Sequence, residues 1–231
     1  MSIHIEHYDL TGRHAVVVGA ETPAGHAIAD AYEEAGARVK RLDTPMASTT
    51  RQAVAQAAAE LGGIHILACA VDRFFAKPVT SISPEDLAAV LEVNYSIPFY
   101  ACQAAIEAIE AQGTTGHIVL LTHVLGERGV ANTSAYAAAH GAVHNLIRAL
   151  AQETAAKGIM VNGVALGWMD WMQDRLDPAD PQAERAIRFT ISKRAGSPQD
   201  VGPIAVWLSG SGVGFVTGQI FPLDGGLTQH L

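Results

Sequence analysis

Short apolar runs alternate with longer amphipathic ones from one end of this chain to the other, and that alternation constrains its fold more than any single residue. His14-Ala-Val-Val-Val-Gly19 is a β-branched run too short for a helix, and it reads as a buried first strand. A glycine-containing turn follows, then an apolar helix over Ala24–Ala35 that ends at Gly36. Further strands are predicted at Arg38–Asp43, Ile64–Ala70, His117–Thr122, Met160–Leu166 and Ile220–Asp224. Helices are predicted at Thr50–Leu61, from Pro84 to Asn94, and over Ile97–Gln112 and Ser134–Lys157. Strands joined through helices make a parallel sheet with both faces covered, which is the α/β doubly wound class. No repeat, low-complexity tract or linker divides the sequence, so residues 1–231 are expected to form one domain.

Composition narrows the function classes. With 231 residues, 49% of them hydrophobic and only 16% charged, the chain has ample apolar material for one large core. A formal charge of −8 argues against nucleic acid and anionic membranes, which both reward basic surfaces. Two cysteines, Cys69 and Cys102, form no disulfide framework and fit a reducing compartment. There is no apolar run of about 18 residues that would span a bilayer, and the N-terminus has no long hydrophobic region. A soluble, cytoplasmic protein is the expectation.

Chemistry is concentrated around Tyr136-Ala137-Ala138-Ala139-His140, where a phenol and an imidazole share one helical face a turn apart. Other motifs surround it in a fixed order. Val18-Gly19-Ala20-Glu21-Thr22-Pro23-Ala24-Gly25 forms the first turn, and Asn94 follows a helix. Val161-Asn162 and Gly167 flank a strand, and Thr217-Gly218-Gln219-Ile220 and Leu223-Asp224-Gly225-Gly226 close the chain. In these motifs and their spacing the chain resembles the short-chain dehydrogenase/reductase family over roughly residues 10 to 228. The resemblance implies a Rossmann-like sheet, and in that family a lysine follows the catalytic tyrosine at the position of His140. The lysine's charge favours the phenolate; an imidazole with an ordinary pKa near 6.5 supplies little of that field at pH 7. The resemblance also places Asn94 where the family has an asparagine that kinks a helix and orders a water of the proton relay.

The departures from the family pattern cluster. Thirteen residues before Tyr136, where the family has its serine, stands His123. Thr122 is its neighbour, but adjacent strand residues face opposite ways, so Thr122 is not expected to substitute. The segment that shapes the cofactor pocket in the family is Ala68-Cys69-Ala70-Val71, and the Pro-Gly turn beside the nicotinamide is Leu166-Gly167. In the first turn the family's threonine is Val18 and its middle glycine is Pro23, which lacks an N–H for a pyrophosphate. Gly19 and Gly25 read equally well as vestiges of a phosphate site and as glycines that let strand and helix approach. Asp43 stands twenty-four residues after Gly19, near where such folds place a ribose-binding acid, and it reads at least as well as a solvated carboxylate. Between Asp43 and Ile64 there is room for only one helix, so one helix–strand unit at the adenine side is expected to be missing.

Ten histidines invite a metal reading that their spacing does not favour. His4 and His7 are expected to be solvated near the terminus, and His140 and His144 share a helical face without a His-Glu-x-x-His pattern. His123, Tyr136 and His140 are expected to converge in one cleft. Trp168 and Trp171, in a segment running to Asp180 where the family has its substrate lid, suit either an aromatic pocket or an interface.

The resemblance with these departures implies a non-catalytic subunit with no intact catalytic set and no cofactor of its own. It implies a homologous active short-chain dehydrogenase as partner, in a heterotetramer that carries NAD in the active subunit. Within the family the pattern is similar to subunits of dehydrogenases that handle β-hydroxyacyl-CoA compounds in aromatic degradation. Two alternatives remain open on the sequence: an active NAD(P)-dependent dehydrogenase with a histidine-modified site, and a cofactor-free acid–base lyase or isomerase.

Overall fold

A computed structural model describes residues 5–175 and 182–229. Six strands form one sheet: β1 (His14–Val18), β2 (Arg38–Leu42), β3 (Ile66–Cys69), β4 (Gly116–His123), β5 (Ile159–Leu166) and β6 (Ile220–Leu223). Their spatial order is β2-β1-β3-β4-β5-β6, and every neighbouring pair is parallel. The helices are α1 (Pro23–Glu34), α2 (Ala47–Leu61), α3 (Pro84–Leu91), α4 (Ile97–Gln112), α5 (Ser134–Thr154), α6 (Gln182–Phe189) and α7 (Pro198–Ser209). This is a Rossmann-like α/β fold. The chain leaves β2 through α2 alone and returns on the far side of β1, so β2 lies at the edge of the sheet.

Strand alternation explains the two cores. Val16 and Val18 of β1, with Leu67 and Cys69 of β3, face a layer built from α2, α4 and α5. Ala15 and Val17, with Ile66 and Ala68, face the opposite layer of α1 and α7. Val16, Val17, Leu67 and Ile118 are completely buried, each worth roughly 1.5–3 kcal/mol relative to exposure. On the second layer α1 and α7 touch closely. A Cβ on Gly202 would sit 2.7 Å from that of Ala31, and the Tyr32 hydroxyl is 2.8 Å from Ser209 Oγ inside the contact.

Most expected elements are present with ends shifted by a few residues. The third strand begins at Ile66 rather than Ile64, because the Ile64 N–H and carbonyl are taken by the Gln112 side chain. The helix expected to run from Pro84 to Asn94 stops at Leu91, where Glu92–Ser96 form one wide π-type turn leading into α4. The N-terminal tip of α3 is closed by a capping box between Ser83 and Asp86. His7 is bonded to Ser211 Oγ at 3.3 Å rather than simply solvated; His4 lies outside the described residues. Among the described residues no helix is long and apolar enough to cross a membrane.

Candidate functional site

The site forms at the carboxyl ends of β3 and β4, the end at which parallel sheets of this type place their chemistry. β4 delivers Thr122 and His123, the first turns of α5 deliver Tyr136 and His140, and the segment leaving β3 delivers Asp72. The three expected rings do converge. Centroids are 5.5 Å apart for His123 and Tyr136, 4.3 Å for Tyr136 and His140, and 6.0 Å for His123 and His140.

Their partners were not expected. The Tyr136 hydroxyl donates to Asp72 Oδ1 at 2.7 Å, and His140 Nε2 lies 3.7 Å from the same oxygen. The other ring nitrogen of His140 is 3.0 Å from Thr122 Oγ1. So the phenol hydroxyl faces a carboxylate rather than the family's lysine. Removing the phenol proton would set two negative charges within hydrogen-bond distance of one another in a nearly enclosed space, which is unfavourable. Thr122 and His123 both border this pocket, contrary to the expectation that they point apart. His123 ends β4 and caps the following turn, its Nδ1 accepting the Leu125 N–H at 3.1 Å, so strand alternation no longer governs it.

A strap covers these groups. Residues 72–78 cross over Tyr136: Phe74 stacks edge-on against the phenol ring at 5.3 Å, and Phe75 packs with Val90, Ala135 and Ala139. The Lys77 N–H donates to the Asn132 carbonyl and its ammonium to Asp86, both at 2.6 Å. Asn94 holds the strap from behind. Its Oδ1 accepts the Arg73 N–H, while its Nδ2 donates to the carbonyls of Arg73 and Val90. The kink expected at Asn94 is present, and its side chain is committed to the backbone of the strap. Tyr136 is 0% exposed as a result.

A second buried histidine, His144, lies one turn beyond His140. Burial lowers its pKa from the ordinary value, and the Glu127 carboxylate, 3.5 Å away, pulls the other way. No group of three or more metal-ligating side chains occurs among the described residues.

The residues present do not fit a dinucleotide well. In the β1–α1 turn Pro23 has no N–H, and the Gly25 N–H donates to Thr22 Oγ1 at 3.0 Å, so this helix start offers few free donors to a pyrophosphate. The Thr22 hydroxyl in turn donates to the Gly19 carbonyl at 2.8 Å. A Cβ on Gly25 would meet the Gly19 oxygen at 2.0 Å, and Gly19 has φ +80° with Val71 close by. Close approach within the protein therefore accounts for both glycines. Glu21 adds a carboxylate to the turn, bonded to the Thr44 N–H. Asp43 is exposed. Beside Tyr136, where Thr22, Leu121, Leu166 and Met172 meet, the enclosed space is about 20 Å³. That is room for about one water, against 300–1,000 Å³ for ordinary ligand pockets.

Trp168 and Trp171 are half-buried against the α1/α7 layer, and residues 176–180 of the expected lid lie outside the described residues. Asp72 and the strap escaped the sequence reading. The available signal was a lone acid directly after the buried run Ala68–Val71, at the strand end where such sheets carry their sites.

A family model described as enoyl-(acyl carrier protein) reductase matches residues 7–228. The chain is 33% identical to cis-4-hydroxycyclohexanecarboxylate dehydrogenase of Sinomonas cyclohexanicum, over 93% of this chain and 86% of that one. It is 31% identical to the (2S)-[(R)-hydroxy(phenyl)methyl]succinyl-CoA dehydrogenase subunit BbsC of Thauera aromatica, over 95% and 96% of the two chains. It is 36% identical to the inactive 2-(S)-hydroxypropyl-CoM dehydrogenase 2 of Xanthobacter autotrophicus, over 60% and 62%. The solved structure of a short-chain type dehydrogenase/reductase from Mycobacterium marinum superposes with a TM-score of 0.89 at 26% identity, covering 97% of this chain and 98% of that one.

Proposed function

Because the chain belongs to the short-chain dehydrogenase/reductase family, we propose that it serves as a non-catalytic subunit of a hetero-oligomeric NAD-dependent alcohol dehydrogenase. The partner is a homologous active subunit, which binds the NAD and performs the hydride transfer, and the assembly is a heterotetramer. One observation carries the reading. The tyrosine that this family would use as its acid–base is fully buried, and its hydroxyl is given to the carboxylate of Asp72. A substrate alcohol has no path to that oxygen while residues 72–78 lie across it.

The histidine in place of the family's lysine, the histidine at the family's serine position and the sparse donors of the β1–α1 turn all support the same reading, since such a site acts as a unit. Likeness to the Thauera aromatica subunit supports a β-hydroxyacyl-CoA substrate class for the assembly, in aromatic degradation. A second reading, an active dehydrogenase with a histidine-modified site, is favoured by likeness to the Sinomonas cyclohexanicum enzyme. A cofactor-free lyase or isomerase would have to open the 20 Å³ space beside Tyr136 first.

Calorimetric titration with NAD and NADH separates these readings. It is performed on the purified chain and on the chain co-expressed with an active short-chain dehydrogenase as candidate partner. The expected result is no binding to the chain alone and one dinucleotide per partner subunit in the complex. Micromolar binding to the chain alone would overturn the proposal in favour of the active-enzyme reading.

A further inference from the structure

A second concavity lies on the outer face of the α1/α7 layer and does not include Tyr136. It is an open groove of about 1150 Å³ between α1 and α7, beginning at Tyr8 and ending at the β1–α1 turn. Its floor is apolar and shallow, made by Ala27, Ala31, Pro203 and Val206. Because Gly202 and Ala31 bring the two helices together, the groove between them is a valley rather than a tunnel.

The charge on the walls is mostly negative, with His26, Gln199 and Tyr8 as the other polar lining groups. Glu21, Asp30 and Glu34 line the groove, and among the described residues no lysine or arginine does. Asp30 is held by Arg41 at 2.6 Å and by His26 at 3.4 Å, Arg41 also serves Glu33, and Glu21 accepts the Thr44 N–H, so Glu34 is the wall carboxylate left most open to a partner. Glu34 is exposed. A separate feature adds to the surplus of acceptors. Pro203 lies inside α7 and lines the groove, and it has no N–H to give to the carbonyl of Gln199, which lines the groove as well.

A volume above the range of small-molecule pockets, an apolar floor and walls with three carboxylates select the occupant's chemistry. Anionic ligands are disfavoured by three carboxylates, and a small polar ligand would leave the floor wet. We propose that the α1/α7 groove docks an amphipathic helical segment of a protein partner, with its apolar side on Ala31 and Val206 and its lysines or arginines against Asp30 and Glu34. The groove follows α1, whose 12 residues span roughly 18 Å, so about three turns of helix fill it. The surface is independent of the site at Tyr136, and it stands or falls separately from the subunit role.

Fluorescence anisotropy of the full chain tests the proposal. The probe is a labelled amphipathic helical peptide of about 14 residues, leucine on one face and lysine on the other, and the control is its leucine–glutamate counterpart. The expected result is saturable binding of the lysine peptide, weakened about tenfold or more by Glu34→Lys and again by Glu21→Lys. Glu153→Lys, an equal charge change on the exposed side of α5, is expected to leave the affinity within about threefold. Absence of saturable binding would overturn the proposal. So would equal binding of the glutamate peptide, or equal weakening by Glu153→Lys, which would reduce the effect to overall charge.

Discussion

The Tyr136 hydroxyl and the Asp72 carboxylate are a donor and acceptor 2.7 Å apart, and they join α5 to the segment that leaves β3. The bond holds down one end of the strap over residues 72–78, while Asn94 holds the Arg73 backbone and Lys77 holds the far end. A tyrosine in this position stabilises the fold.

Replacing Tyr136 by Phe should therefore register in stability. It removes the phenol's hydrogen bond to the Asp72 carboxylate, whose side chain is 18% exposed, at a cost of about 1.5–3 kcal/mol. Asp72→Asn should cost less, because an amide oxygen still accepts the phenol proton without a charge to solvate. Urea denaturation of the two single variants and the double variant measures this, and the double variant should lose less than the sum of the singles. Additive losses would mean that the two groups do not interact.

Gly25→Ala tests whether the glycine turn is held by packing. The new Cβ would fall 2.0 Å from the Gly19 oxygen, so helix α1 has to shift off β1. The expected loss is about 3 kcal/mol or more in denaturant unfolding, with no ligand present. A fully stable Gly25→Ala variant would show that the turn relaxes freely and that the glycine answers some other need.

Acid should weaken the fold from the opposite end of the sheet. Burial, with the charge of Arg13 nearby, lowers His117 to about 4 from an ordinary 6.5. Since the unfolded chain protonates first, stability is unaffected above pH 7 and falls as pH drops from 6.5 to 4, by about 3 kcal/mol in all. His65, lowered by partial burial and by Arg13 and His14, adds a smaller share of the same sign. Unfolding free energies measured across this range should show the slope, and His117→Gln should flatten it.

The sequence disclosed the fold because its strands are short, apolar and separated by helices, a pattern that leaves few alternatives. It disclosed the reduced sheet as well, since too few residues lie between Asp43 and Ile64 for a second helix–strand unit. Two helices were hidden. α7 carries Pro203 in its interior, which reads as a break in sequence, yet Ser197 and Asp200 cap its start and the α1 contact holds it. α6 lies beyond Asp180 in a polar stretch with a narrow apolar face. The convergence of His123, Tyr136 and His140 was implied by the family resemblance, which puts all three at positions of one site, with helical spacing joining Tyr136 to His140. Asp72 was not, because its role depends on how a loop without periodicity folds back over α5. Thr122 and His123 border one space for a related reason: alternation fails at His123, the last residue of β4.

Where an outer strand would cover it in a larger sheet, β2 presents a bare row of backbone amides and carbonyls to solvent. Such an edge invites fibrillar stacking between molecules. Here the strand reads Arg-Val-Lys-Arg-Leu, with Lys40 paired to Glu60 and Arg41 clasped by Asp30 and Glu33. Charges on both sides of the strand act as gatekeepers that an incoming β-strand would have to desolvate. The opposite margin is blunted differently: Gly163 and Gly167 donate to Gln219 and Leu223, which turns Pro222 and its missing N–H outward. Losing a strand has thus left a sheet whose two margins both resist self-templated growth, so whatever assembles with this chain must do so through side chains and helices rather than by extending its sheet.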